Sequence, residues 1–352
     1  MAEHLLPAAV AIFLWWFATG AILYLDGLRR ETFRFSLGVA TVLLAVAVWG
    51  LTATRGLATP HGAVLAFLCG LTIWGWIELA FLTGVVTGPE RRDCPPGLAG
   101  WPRFVRATRA LLHHELAILA AAAWTASLTW DGANRVALWT VLLLWGMRLS
   151  AKLNLFLGVR NRGAEFLPDH LRYLGSYFGT ARANPFLPVS LLGSVAVAAL
   201  LLAGAFAPGA DAFAAVGFTL LGTLAALGAL EHALMVLPLP GGALTALWGW
   251  GFRSRGFSAE LGRCDPGGLE TLLHAVARGS YGRVDRLQGV ARAGDGWVRF
   301  DVAAGRPSLA PTEPRDAGIG DGGTGDAGLG RVTATGQVDG SRLRAAFAAC
   351  AA

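Results

Sequence analysis

The chain has 352 residues, of which 54% are apolar and only 15% charged, with 13 Trp and a formal charge of +6. A soluble chain carries about 25% charged residues, so that class is excluded for most of the length. No basic run is interleaved with aromatics, which excludes a nucleic-acid surface and leaves membrane lipid headgroups as partners for the loop arginines.

Seven apolar runs follow in chain order: Leu5–Leu25, Phe35–Thr54, Ala63–Thr87, Ala110–Trp130, Val136–Val159, Phe186–Phe206 and Phe213–Leu239. Each matches the roughly 20 residues that cross a hydrocarbon core. The first run is preceded by Met1-Ala2-Glu3-His4, without Lys or Arg, and is too long for a signal sequence, so it reads as a retained helix. Basic residues fall on alternate connections. Arg29, Arg30 and Arg34 follow the first run, and Arg91, Arg92, Arg103, Arg106 and Arg109 follow the third. Lys152, Arg160, Arg162, Arg172 and Arg182 lie in and beside the fifth connection. The intervening connections hold only Arg55 and Arg135. Because Lys and Arg stay on the cytoplasmic side, the expected fold class is an all-α polytopic membrane protein. It has seven transmembrane helices, the N-terminus out and the C-terminus in.

Two cytoplasmic connections are more than linkers. In Pro89–Arg109, Arg103, Arg106 and Arg109 recur at helical spacing after Trp101-Pro102, which predicts an interfacial helix feeding the fourth span. Arg160–Pro185 mixes aromatic and charged residues in Phe166-Leu167-Pro168-Asp169-His170-Leu171-Arg172-Tyr173. That is too apolar for a free loop, and it is expected to dock on the bundle or on a partner. Trp139, Trp248 and Trp250 near span ends suit interfacial anchoring, whereas Trp15 and Trp16 lie mid-span.

Residues 1–252 form the membrane domain, and 253–352 read as a small α+β cytoplasmic domain. The last hundred or so residues hold 24 of the 52 charges. Leu269–Ala277 and Ser341–Ala349 have helical patterns. Val284–Ala291 and Trp297–Val302 form a hairpin about Gly294-Asp295-Gly296, and Arg331–Gln337 alternates again. The Gly/Asp run at 316–330 is expected to be disordered. Cys69, Cys94, Cys264 and Cys350 lie far apart in sequence, which indicates neither a zinc site nor a disulfide framework.

Ionisable residues inside spans are the candidate functional groups. Glu78 follows Trp74 by one turn; His113-His114-Glu115 open the fourth run; Arg148 and Lys152 share a face of the fifth with Trp145; Glu231-His232 sit deep in the seventh. The bland reading pairs Arg148 with Glu78 or Glu231, while Lys152 snorkels to the cytoplasmic end. The functional reading makes His114 or His232 an axial ligand of a chlorin magnesium. The small residues Ala110 and Gly228 precede these histidines by one turn and leave room for a flat ring. Asp169, His170, Arg172 and Tyr173 are further candidates for pigment or partner binding. No Walker, G-x-S-x-G, H-E-x-x-H or Glu-x-x-His motif is present, so no catalytic residue is assigned.

Residues 1–250 resemble the PuhE-type photosynthetic complex assembly proteins of anoxygenic phototrophic bacteria. The resemblance rests on Trp15–Gly20, Phe81–Gly84, Cys94-Pro95-Pro96-Gly97, His113–Ile118, Trp145–Asn154, Phe166–Tyr173 and Leu230-Glu231-His232. It implies a multi-spanning bacterial inner-membrane protein, with bacteriochlorophyll as the candidate cofactor, that helps reaction-centre and core light-harvesting antenna subunits assemble alongside other assembly factors; without a catalytic motif, no enzymatic turnover is expected. The alternative is a membrane enzyme or carrier acting on a tetrapyrrole pigment or quinone. The tail more weakly resembles the C-terminal domain of CobW-type proteins. It does so through Tyr281–Val284, Leu287–Arg292, Trp297–Asp301, Arg331–Thr333 and Arg344–Cys350, without the GTPase part.

Overall fold

The computed structural model describes residues 2–164, 167–237, 257–303, 305–312, 330–338 and 340–350. The chain divides into two units, 1–251 and 252–352.

Seven long helices make the first unit: α1 (Ala2–Asp26), α2 (Phe33–Thr54), α3 (Pro60–Leu82), α4 (Gly100–Thr129), α5 (Val136–Leu157), α6 (Phe186–Ala205) and α7 (Ala212–Leu234). All seven are long and apolar enough to cross a membrane. Their starts carry local signals. Thr59 accepts from the Gly62 amide (3.1 Å) with Pro60 at the first helical position, and Asp211 accepts from the Ala214 amide (2.7 Å). The core comprises Phe67, Ile77, Ile118, Val141, Leu220 and their neighbours. Helices α3 and α7 are the most enclosed, whereas α1 and α2 turn Phe13, Trp16, Phe17, Val42, Val46 and Trp49 outward. Small residues allow close approach: a Cβ at Gly70 would stand 2.9 Å from the Ala137 carbonyl of α5.

Helix ends sort into two layers. At one, Asn134 before α5 donates to the Gly62 carbonyl (2.8 Å), its backbone amide donates to Arg55 (2.9 Å), and the His4 ring lies 4.2 Å from Phe206. At the other, Cys94 donates to Ser176 (2.8 Å), Tyr177 donates to the Arg92 carbonyl (3.1 Å), and the Asn161 amide donates to Met235 (2.9 Å). Connections of like parity therefore meet one another.

Several boundaries differ from the sequence expectation. The third run ends as helix at Leu82, not Thr87, because the chain turns at Thr83-Gly84 and re-enters the bundle. The expected interfacial helix is not separate; it is the first part of one continuous 30-residue α4. The end of the seventh run, and Trp248 and Trp250, lie outside the described residues, since α7 stops at Leu234. Phe166 also lies outside them.

The second unit is a sheet ordered β1-β6-β3-β4-β5: β1 (Phe257–Leu261), β3 (Gly282–Ala293), β4 (Gly296–Ala303), β5 (Arg306–Thr312) and β6 (Gly330–Val338). A short β2 (Arg263–Cys264) pairs in parallel with β3, and α8 (Pro266–Ala277) and α9 (Gly340–Ala349) complete the unit. Leu269, Leu273, Leu287, Phe300, Val332, Leu343 and Phe347 form its core. The hairpin β3–β4 turns at Gly294-Asp295, with Ala293 opposite Gly296. Strands β1, β2 and β5 went unread in the sequence. β5 contains Pro307 and Pro311, which argue against a central strand but are tolerated at the sheet edge where it lies. The Gly/Asp run lies outside the described residues up to 329, and Gly330 already begins β6.

Candidate functional site

Most of the sequence-selected polar residues of the helices converge on one cluster between α3, α4, α5 and α7. Glu78 is 8% exposed at its side chain and accepts from Arg148 at 2.9 Å. His114, fully buried, stands 3.8 Å from the other Glu78 oxygen and packs its ring 4.3 Å from Phe81. One turn further along α5, Lys152 donates to Glu115 at 2.5 Å, and Trp145 donates to the same carboxylate at 3.3 Å. Two ion pairs thus lie side by side, each joining a carboxylate to a cation of α5. Buried charges are tolerated in this paired form.

The cluster sits at one end of the bundle. Glu78 lies one turn before the end of α3, and His232 two residues before the end of α7. The Thr87 carbonyl of the re-entrant connection accepts from the His114 amide at 2.9 Å, so that connection reaches the depth of His114. Glu231 and His232 are therefore near the end of their helix rather than deep within it. Glu231 is exposed and within electrostatic range of Arg148 and Glu78, and His113 is exposed. Trp74 is partly buried against the core. Lys152 does not snorkel, because Glu115 holds it.

The two histidines expected as magnesium ligands differ in how their ring nitrogens are held. His232 has both ring nitrogens engaged, Nδ1 2.8 Å from the Gly228 carbonyl and Nε2 3.0 Å from Ser150 Oγ. The space beside Gly228 is taken by Met147, whose sulfur would lie 3.1 Å from an added Cβ. The His114 ring packs on Phe81 with neither nitrogen hydrogen-bonded, and Ala110, one turn before it, is buried in a cluster with Leu171, Leu174 and Tyr177.

The fifth connection docks on the bundle. Its 3-10 helix, Asp169–Tyr177, buries Leu171, Leu174 and Tyr177 against Phe81 and Ala110. His170 Nε2 lies 2.8 Å from the Leu82 carbonyl, and its ring faces Phe33 at 6.1 Å. Gly84 has φ +81°, and a Cβ there would meet the His170 ring at 2.7 Å; only glycine fits both demands. Burial pushes the Tyr173 phenol above its ordinary value, against smaller opposing effects of Thr87 and Arg91. Burial likewise raises Tyr177. Arg172 is exposed. Arg103 donates to the Tyr177 carbonyl (2.8 Å) and stacks 4.4 Å from the Phe156 ring centroid, tying α4 to the docked connection.

Sequence reasoning missed three contributors. Ser150 is the partner of His232, Thr87 binds the His114 backbone, and Asn154 donates to Ser190 of α6 at 2.8 Å. Asn154 carried a signal, as an amide in an apolar run. Ser150 and Thr87 are common at helix positions and turns and carried none.

A family model described as "Protein of unknown function (DUF3623)" matches residues 1–258. A Rhodobacter capsulatus protein named "Uncharacterized 30.4 kDa protein in puhA 5'region" is 41% identical over 251 residues, covering 70% of this chain and 89% of its own length. No solved structure matches. With the family model covering well over half of the chain and a relative this similar along most of its own length, the chain belongs to the DUF3623 family.

Proposed function

We propose that this chain is a seven-pass membrane protein that holds reaction-centre or core-antenna subunits while their complexes assemble. The carrying observation is the 41% identical relative, whose printed name places it in the puhA 5' region of a phototroph. The PuhE-type resemblance of residues 1–250 points the same way. In this reading the layer carrying Arg29, Arg30, Arg91, Arg92, Arg160, Arg162 and Arg172 faces the cytoplasm, and the layer holding only Arg55 and Arg135 faces outward.

Glu78 and Arg148 neutralise one another, as do Glu115 and Lys152. The alternative, an enzyme or carrier for a tetrapyrrole or quinone, draws on the His114 ring nitrogens and Glu78 Oε1, which are buried without a hydrogen-bond partner. In our reading the pairs fix helix register, and the docked connection Asp169–Tyr177 presents the exposed Arg172 and Ser176 to a partner. The tail, with its CobW-like pattern, serves as an appended interaction module.

Deleting the gene in a phototrophic host tests this. Reaction-centre and core-antenna levels in membranes should fall, and the wild-type gene in trans should restore them. Unchanged assembly kinetics would overturn the reading. A chemically altered tetrapyrrole or quinone released by the purified protein would favour the enzyme instead.

A further inference from the structure

The four cysteines are scattered through the sequence, yet folding brings two of them together in the tail. Cys264 ends β2, and Cys350 follows α9. The amide of Asp265, the residue after Cys264, donates to the Cys350 carbonyl at 2.9 Å. Each α-carbon lies two covalent bonds from that hydrogen bond, so the two are at most about 8 Å apart. That bound includes the ~4.4–6.8 Å span that disulfides bridge.

The side chains converge as well. Cys264 is buried in the apolar core of the tail, and Cys350 packs against the same core. The Cys350 sulfur lies 3.8 Å from where a Cβ on Gly268 would stand, over the turn that Cys264-Asp265 opens. Asp265 caps α8 by accepting from the Gly268 amide at 2.7 Å, which fixes that turn. Cys69 and Cys94 belong to the other unit and have no comparable neighbour among the described free cysteines.

We propose that Cys264 and Cys350 are a redox modification site, forming a reversible intramolecular disulfide that staples α9 to the β2–α8 turn. The oxidant is a low-molecular-weight disulfide such as oxidised glutathione. Cys350, the less buried thiol, loses its proton and attacks one sulfur of the oxidant, releasing one reduced thiol. Cys264 then loses its proton and attacks the mixed disulfide at the Cys350 sulfur, releasing the second. The tail loses two protons and two electrons, and the oxidant gains them to become two thiols. Burial raises both thiols above their ordinary value, so exchange accelerates as pH rises. Disulfides in a reducing compartment are characteristically of this transient, sensing kind.

The test uses the full chain in detergent. It is incubated with oxidised glutathione, quenched with acid, unfolded, alkylated and mapped by peptide mass. The expected product is a monomer in which a Cys264 peptide is joined to a Cys350 peptide and alkylatable thiols fall from four to two. Dithiothreitol should reverse the link, and either C264S or C350S should abolish it. A glutathione adduct persisting on Cys350, a link between two chains, or four thiols still free would each overturn the proposal. All are read on the wild-type protein, so none depends on a variant that fails to fold.

Discussion

Arg148 holds Glu78 across the α3–α5 interface at 2.9 Å, and the two partners are unequally enclosed: 40% of the Arg148 side chain is exposed but only 8% of Glu78. The pair is therefore asymmetric under mutation. Loss of the arginine strands a buried carboxylate beside His114, while loss of the carboxylate leaves a cation that can still reach solvent or headgroups.

R148A should accordingly destabilise the bundle more than E78A does. Breaking a fully buried pair costs about 3–5 kcal/mol; half-exposure of Arg148 reduces this, so R148A should cost about 2–3 kcal/mol and E78A about 1 kcal/mol. The double variant should be less destabilised than the sum, because the two residues touch. Unfolding of the detergent-solubilised protein measures all three. Equal single effects would show that the asymmetry is not energetic.

His232 should behave as an interhelical hydrogen-bond partner. H232L and S150A should each cost about 0.6–2 kcal/mol, the range for such contacts between membrane helices, and should leave insertion intact. Denaturation of each variant with its membrane yield is the measurement.

Gly84→Ala should release the docked connection. The new Cβ meets a positive φ and the His170 ring together, and the two penalties should total about 2 kcal/mol or more. Proteolysis within 158–185 should accelerate. H170A placed on top should relieve the contact but not the backbone strain, giving partial rescue.

Docking should also weaken in alkali. Burial raises Tyr173 and Tyr177 above the ordinary phenol value of 10.0. A raised folded value means that the undocked phenol ionises first. The stabilisation is thus complete below about pH 10 and is lost as pH rises through the folded values. Proteolysis of the connection against pH should show the onset near pH 10, and Y173F/Y177F should flatten it.

Reporter fusions after Trp130 and Pro208 should read as periplasmic, and fusions after Arg92 and Arg172 as cytoplasmic. A periplasmic signal at Arg92 would reverse the proposed orientation.

Local composition determined the seven helices, because a run of about 20 apolar residues is helix-forming and lipid-compatible wherever it lies. It also marked Glu78, Glu115, Arg148 and Lys152 as costly enough to need partners. Which partners they took was decided only by packing. Arg148 is 70 positions from Glu78, and Lys152 is 37 from Glu115; helix rotation and crossing set those meetings, and no sequence period encodes them. The same holds for His232, whose nitrogens are both occupied once Ser150 of α5 arrives. A small residue one turn before a histidine looks like room in a sequence, but in the bundle Met147 lies against Gly228. Likewise the 86-position gap between Cys264 and Cys350 hides a contact that a single backbone hydrogen bond creates. Element formation depends on neighbours along the chain, and site geometry on neighbours across it.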